Sequence, residues 1–470
     1  SNLYTFDPQA LHHIFVKDVN IYEETDSFVE TRSPLTVLNT LSHLHVPGDQ
    51  HRRQRKMLSP LFSNAHVREM VPIFYEVAHK VRNVFMQKAH HGPQEVDILS
   101  WVHRIALELI GQCGFGYSFD RLTEDSVPHA YGVAFKRLGK SRNNILLNMV
   151  IFPILTRIGS PQFRRWVVER SESTEVKQYR DIIDTCYNTS VEIFNSRKKA
   201  IEEDHEVIED QAGNGKDVLS TLIKANTSAF EDDRVSDKEL LSQMLTLTFA
   251  ATDTTSSALS RTIYLLAQHK DVQDRLREEI RNARQNNEGH DLAYDELDSL
   301  PYLDAICKET LRLYPPFPVL MRVNRQDSIL PLRTPIKGID GQEIREVPLS
   351  KGTLVHVSIV GSNRNTETWG PDAAEWKPDR WLNPLPKTLV DAHIPGIYSH
   401  LMTFLGGGRS CIGFKFSQLE MKVVIALFVE TLELSLPNKP IYWQMTEIVT
   451  PSTELEMRNP ALPLIVRLAQ

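Results

Sequence analysis

With 470 residues, 41% hydrophobic and 24% charged, the chain has the composition of a globular protein with ample material for a core. A formal net charge of −7 argues against bulk nucleic-acid binding. Four cysteines (Cys113, Cys186, Cys307, Cys411) with no C-x-x-C pair exclude a disulfide scaffold and a zinc site of that spacing, and they fit a reduced, cytosol-facing compartment.

Taken in chain order, His51-Arg-Arg-Gln-Arg55-Lys56 is the first marked feature, a basic run in which His51 and Arg55 share a helix face. Alone it reads as a solvated face or a nucleic-acid patch. Apolar residues recur at helical spacing over 66–90, 97–113, 172–203 and 217–226. The stretch 145–155 is the most apolar short segment, too short to cross a bilayer, and core packing is its ordinary reading. Segment 204–216 is a polar, glycine-bearing loop. A long helix is expected from Ser236 to about Lys270, with Ser236 and Glu239 as its capping box. Its span over 237–268 is roughly 48 Å at about 1.5 Å per residue. Within it, Ala250-Ala-Thr-Asp253-Thr254-Thr255 sets polar side chains into an apolar run. Such groups are costly to bury unless hydrogen-bonded, and hydroxyls bonded back to helix carbonyls are the plain explanation.

Helical patterns continue over 271–286, 301–314 and 413–432, with a polar loop over 285–292. Glu309 and Arg312 lie three apart on one helix face, in itself a routine ion pair. Strand signals are short and late: 354–359 is the best, with 342–348 and 463–468 weaker, and 366–397 is rich in proline. The fold class is thus mainly α with a small β portion.

The most informative stretch is Phe404-Leu-Gly-Gly407-Gly-Arg409-Ser-Cys411-Ile-Gly413. A thiolate bound to iron needs its charge moderated by donors, which a glycine-rich turn supplies as backbone N–H groups. Gly407 and Gly413 permit unusual backbone and close approach to a flat cofactor. Arg409 can make charge-assisted bonds to an acidic cofactor edge. A helix starting near Ile412 would set its positive end beside the thiolate. The competing reading, a phosphate-cradling turn, lacks the P-loop lysine and the dinucleotide spacing.

Phe-x-x-Gly-x-Arg-x-Cys-x-Gly resembles the haem-binding signature of the cytochrome P-450 family at every fixed position, and the likeness extends over nearly the whole chain. The resemblance implies a single catalytic domain over 1–470 with haem b (iron protoporphyrin IX) bound through Cys411 as axial ligand. Thiolate ligation favours O–O cleavage. Phe404 would pack on the sulfur side of the haem, Ala250 would face it, and Arg409, Arg322 and the His51/Arg55 pair would meet its propionates. Asp253 and Thr254 match the family's acid–alcohol pair for proton delivery, although Ala251 stands where glycine is usual. Glu309, Arg312 and Arg380 (in Trp376-Lys-Pro378-Asp-Arg380-Trp381) match its structural framework.

The resemblance also implies O2 as co-substrate and NADPH electrons arriving through a separate flavoprotein reductase, with cytochrome b5 as a further donor. Arg52, Arg53, Lys56, Lys415 and Lys422 are read as a basic surface for such an acidic partner. Pocket walls are expected from loop 27–47, Phe249, Ala250, Val319, Leu320 and Val449, apolar in character and suited to a lipophilic sterol, terpenoid, polyaromatic or fatty-acid substrate. Gly111-Gln-Cys-Gly-Phe-Gly-Tyr and Arg55-Lys56 resemble fungal microsomal members. That places a monomer at the endoplasmic reticulum membrane, facing the cytosol, with an anchor, an early helix and first strands expected to precede this sequence. The other readings are a haem-thiolate isomerase or dehydratase and a non-catalytic haem sensor; the Asp253–Thr254 pair favours the monooxygenase.

Overall fold

The computed structural model describes residues 2–25, 48–141, 158–203, 217–228, 234–445, 447–456 and 459–470. The apolar stretch 145–155, the 204–216 loop and the whole of loop 27–47 lie outside them. The chain forms two compact units, one of Ser1–Glu23, Asn64–Ala106 and Asp253–Gln470, the other of Glu24–Ser63 and Leu107–Thr252.

The first unit carries the strands: β1 (Asn2–Thr5), β2 (Tyr22–Glu23), β3 (Gln94–Asp97), β4 (Val319–Asn324), β5 (Ser328–Lys337), β6 (Glu343–Leu349), β7 (Leu354–Ser358), β8 (Leu432–Ser435), β9 (Tyr442–Gln444), β10 (Thr450–Ser452) and β11 (Pro463–Leu468). They form a four-stranded sheet in the order β1-β7-β4-β2, a three-stranded sheet in the order β3-β11-β8, and the hairpins β5-β6 and β9-β10. In the larger sheet β1 runs parallel to β7, with Asn2 opposite Leu354, while β4 is antiparallel to β7, with Val319 opposite Ser358.

The core of this unit is the helix Phe414–Thr431, buried from Gln418 through Val429 on every side. Such enclosure requires a largely apolar surface all round, which Gln418, Glu420 and Lys422 interrupt. It packs on helix Asn64–Ala89 through Phe74 against Phe416 (ring centroids 4.8 Å) and Phe85 against Phe428 (5.2 Å). Each such buried side chain contributes roughly 1.5–3 kcal/mol. At its C-terminus the orphan carbonyls are met from helix Lys270–Asn286: Arg277 donates through Nε to Val429 O (2.8 Å) and through Nη2 to Leu432 O (3.0 Å).

The second unit is helical. Thr174–Glu202 packs on Ala130–Ser141, Pro161–Arg170 and Val218–Ser228. Buried Glu108 accepts from Ser118 Oγ and from the backbone N–H groups of Phe119 and Asp120 at 2.6–2.7 Å, fixing the turn that follows. The long helix runs Asp237–Gln268, and both halves of its capping box are made. Glu239 N donates to Ser236 Oγ (3.3 Å), and Ser236 N donates to the Glu239 carboxylate (3.0 Å). The boundary between the units falls inside this helix, at Thr252 and Asp253.

Each helix expected from periodicity has a counterpart within a few residues, and the three expected strands are β7, β6 and β11. Others gave little signal. β5 contains Pro331 and Pro335, which interrupt a strand pattern; its register with β6 shifts between Pro331 and Ile336. No described helix is long and apolar enough to cross a membrane.

Candidate functional site

The loop before Phe414–Thr431 is closed by its own backbone: Cys411 N donates to Phe404 O (2.9 Å), and Ile397 N to Leu405 O (2.9 Å). Gly407 has φ +64°, and a Cβ there would lie 2.0 Å from Phe15 O. A Cβ on Gly406 would lie 1.9 Å from Pro395 O. The glycines at 406 and 407 thus answer to neighbouring protein backbone, where the sequence had suggested approach to a cofactor for Gly407. Gly413 has an ordinary φ of −88° and caps the helix, which begins at Phe414 rather than near Ile412. Around Gly408 and Gly413 nothing lies within 4 Å of an added Cβ.

Cys411 is exposed, whereas Cys113, Cys186 and Cys307 are buried. Burial pushes the thiols of Cys186 and Cys307 up to about 12, which leaves them inert. Phe404 is buried beside Tyr398 and Phe414, with centroids at 5.6 and 6.0 Å. One accessible thiol at the end of a closed loop, with room for close approach at Gly408 and Gly413, fits the ligation of an iron cofactor.

What holds this loop is a buried polar network. Arg312 donates through Nε and Nη2 to the two oxygens of Glu309 (both 2.8 Å), and neither side chain reaches solvent. Glu309 also accepts from Lys377 N (3.0 Å), Arg380 Nε (3.3 Å) and Trp381 Nε1 (2.9 Å). The remaining Arg312 hydrogens go to the carbonyls of Ala373 (2.6 Å), Asn363 (3.0 Å) and Glu375 (3.1 Å). Asn363 relays the order onward. Its Oδ1 accepts from Met402 N (2.9 Å), its Nδ2 donates to Thr403 Oγ1 (2.9 Å), and Thr403 Oγ1 donates to Leu311 O (2.7 Å). Helix Pro301–Leu313 thereby grips residues 402 and 403, next to Phe404, whose carbonyl accepts from the cysteine's own N–H. Asn363 and Thr403 escaped the sequence reading, because a lone Asn and Thr carry no spacing signal.

On the long helix, Phe249, Ala250, Ala251, Asp253 and Thr254 are half-buried, while Thr252 and Thr255 to Ser260 are buried. Positions 249, 250, 253 and 254 share one helical face. Thr252 Oγ1 donates to Thr248 O (2.7 Å), the back-bonding expected of a helical threonine. His103 Nδ1 lies 3.7 Å from Asp253 Oδ1; nothing in the spacing of His103 announced it. Ser257 Oγ donates to Val449 O (2.6 Å), and Val449 N to Pro316 O (3.0 Å), so the expected wall residue Val449 is tied to the long helix and to the segment entering β4, which holds Val319 and Leu320.

Arg322, on β4, is buried with its guanidinium 5.5 Å from the Phe15 ring, and it is Phe15 whose carbonyl abuts Gly407. Arg322 and Arg409 therefore belong to the same unit as Cys411. His51, Arg55 and Ala250 belong to the second unit. There, helix Gly48–Leu58 is set by Gln50 and buried Gln54, which donate to Glu239 Oε1 (2.8 and 3.3 Å). His51 and Arg55, each one residue further on, lie about 100° round the helix from them.

The basic surface needs correction. Arg52 and Lys56 are exposed and Lys415 is half-buried, but Lys422 is buried, with Nζ 2.6 Å from Asp298 and 2.9 Å from Asp304. Burial opposes it, but the Lys422 ammonium holds the Asp298 carboxyl below the usual range. Lys422 is a structural ion-pair partner on a wholly enclosed helix. Lys422→Ala leaves Asp304 without that partner and is expected to cost about 3 kcal/mol, the low end for breaking a buried pair. A denaturation midpoint equal to wild type would return Lys422 to the surface set.

A family model described as cytochrome P450 matches residues 2–458. The chain is 47% identical over 450 residues to cytochrome P450 monooxygenase 91 of Postia placenta, covering 96% of this chain and 82% of the relative. It is 41% identical over 468 residues to a ganoderic acid synthetase, CYP5150L8, of Ganoderma lucidum, covering 99% and 85%. The crystal structure of a cytochrome P450 (CYP102L1) superposes with a TM-score of 0.72 at 20% identity, over 99% of this chain and 89% of that one.

Proposed function

Since the chain belongs to the cytochrome P450 family and is a monooxygenase of it, we propose that it hydroxylates or epoxidises a lipophilic small molecule. O2 is the oxidant, and electrons come from NADPH through a separate flavoprotein reductase. The observation that carries this reading is Cys411, the one exposed cysteine, held in a loop braced by Glu309, Arg312, Asn363 and Thr403. When bound, the haem supplies oxygen activation, which thiolate ligation promotes.

The chain's own residues bind and supply protons. Cys411 would hold the haem iron through its sulfur with Phe404 behind it, while Arg409, Arg322, His51 and Arg55 would meet the propionates, where guanidinium groups pair well with carboxylates. Ala250 would face the haem from the long helix. Asp253 and Thr254 take the proton-delivery role, with the acid drawing on solvent and the hydroxyl positioning water. His103, beside Asp253, is the natural next group on the path. Asp253→Asn is expected to lower product formation about 10²-fold, a typical contribution of a positioned acid, while leaving the thiolate signature intact. An unchanged product rate would assign the carboxylate to packing.

The deciding experiment is the CO-difference spectrum of the reduced, haem-loaded protein. A strongly red-shifted Soret band is expected, and a band at the position of histidine-ligated haem would overturn the ligand assignment. For the substrate, a spectral binding screen with sterols, terpenes, polyaromatics and fatty acids is apt, and ganoderic acid belongs in it because one relative is named for making it. The endoplasmic reticulum membrane, cytosolic face, is the proposed location, with the reductase and cytochrome b5 as electron donors.

A further inference from the structure

Far along the long helix from Asp253, Arg261 sits between two aromatic faces. Its guanidinium carbon is 3.4 Å from the centroid of Trp443, on β9, and 4.3 Å from that of Tyr314. A contact as short as 3.4 Å requires the guanidinium to lie flat on the indole, so the stack fixes its plane and turns its N–H donors outward, edge-on. Arg261 Nε and the indole Nε1 of Trp443 are both buried without a hydrogen-bond partner.

A second arginine shares the same tyrosine. Arg364 lies 5.2 Å from the Tyr314 centroid. Its Nε and Nη2 clasp Leu313 O, at the end of helix Pro301–Leu313, and Nη1 is not used in that clasp. Burial draws Arg261 down to about 9; Tyr314 and Tyr264 act in the other direction, Arg364 adds a smaller depression, and no carboxylate is among the opposing groups. Among the described residues neither arginine forms an ion pair. Two other buried arginines are answered, Arg312 by Glu309 and Arg380 by Asp372 and Glu309. Partly buried charge without a counter-ion is costly, and a built stack of aromatic rings around it means that the cost is maintained by the fold.

We propose that Arg261 and Arg364, with Tyr314 and Trp443 as walls, form a binding site for a phosphate group. A phosphate oxygen pair matches the planar fork of Arg261, a third oxygen is available to Arg364 Nη1, and the Trp443 indole N–H is a further donor. The same chemistry is presented by free phosphate and by a phosphomonoester lipid headgroup, and the two sources separate by experiment. The site is distinct from the haem-ligand loop and does not depend on which substrate is oxidised.

The test uses haem-loaded protein, in which the propionate arginines are engaged. Inorganic phosphate is titrated against wild type and Arg261→Gln at constant ionic strength set with chloride, reading the thermal midpoint. In parallel, both proteins are co-sedimented with phosphatidylcholine vesicles with and without phosphatidate. Wild type is expected to respond to phosphate, and Arg261→Gln to bind about tenfold more weakly or worse, the loss of one bidentate charged contact. A phosphate response identifies a free anion; a response to phosphatidate vesicles alone identifies a headgroup. If Arg261→Gln loads haem poorly, Arg261→Lys, which keeps the charge and loses the fork, reads the same difference. Equal responses of wild type and variant, or no response to either probe, would overturn the site.

Discussion

Glu309→Ala is expected to yield little folded, haem-loaded protein. The carboxylate accepts from Arg312 twice, and from Arg380, Trp381 and the backbone N–H of Lys377. Removing it leaves the fully buried Arg312 charged and without its counter-ion, a loss of about 3–5 kcal/mol for a broken buried pair. It also strands an indole N–H and a backbone N–H, at about 1–3 kcal/mol each when buried. These terms overlap, yet the broken pair alone is a large fraction of a total stability of about 5–15 kcal/mol. The damage should spread along Arg312, Asn363 and Thr403 to the loop that presents Cys411. Glu309→Gln keeps the shape and some acceptors, so it should fall between the two. The check is a denaturant midpoint together with haem content per chain; a Glu309→Ala variant within about 1 kcal/mol of wild type would be incompatible with the network described.

Cys411→Ser should fail in the opposite way. The side chain is exposed, and the loop is closed through the backbone N–H of residue 411, which serine retains. Apoprotein stability should therefore stay within about 0.5 kcal/mol of wild type, as for a surface exchange. The hydroxyl is a far poorer ligand than a thiolate, so the red-shifted CO band should vanish and product formation fall to background. Measured side by side, the two variants separate the residue that binds from the residue that holds the binder in place. A Cys411→Ser protein that kept the red-shifted band would remove the ligand role from this loop altogether.

Much of this is legible in the sequence. The capping box at Ser236 and Glu239, the enclosed helix after the cysteine and the three late strands follow from local pattern, because each depends on residues a few positions apart. The loop ending in Cys411 stands out for its composition, and the framework residues Glu309, Arg312 and Arg380 through the family resemblance. What stayed hidden depends on partners distant in sequence. Lys422 looked like surface because a lysine usually is, and only the placement of Asp298 and Asp304 opposite it shows why it can be buried. His103 faces Asp253 across a span of chain that no periodicity bridges. Asn363 and Thr403 matter solely for what they join. Gly407 was recognised as special, but the cause proved to be the carbonyl of Phe15, which sequence spacing does not reveal.

The place of β11 bears on how the molecule comes into being. It is the middle strand of its sheet, pairing Ile465 with Glu95 of β3 on one side and with Ser435 of β8 on the other. β1 likewise waits for β7. During synthesis, therefore, β3 leaves the ribosome long before its partner exists, and its open edge must be kept from other chains while most of the protein is still being made. Contacts of such sequence separation are slow to form. Assembly of this sheet is then a late event, and premature termination just ahead of β11 would leave two edges unpaired rather than trim one strand from the margin.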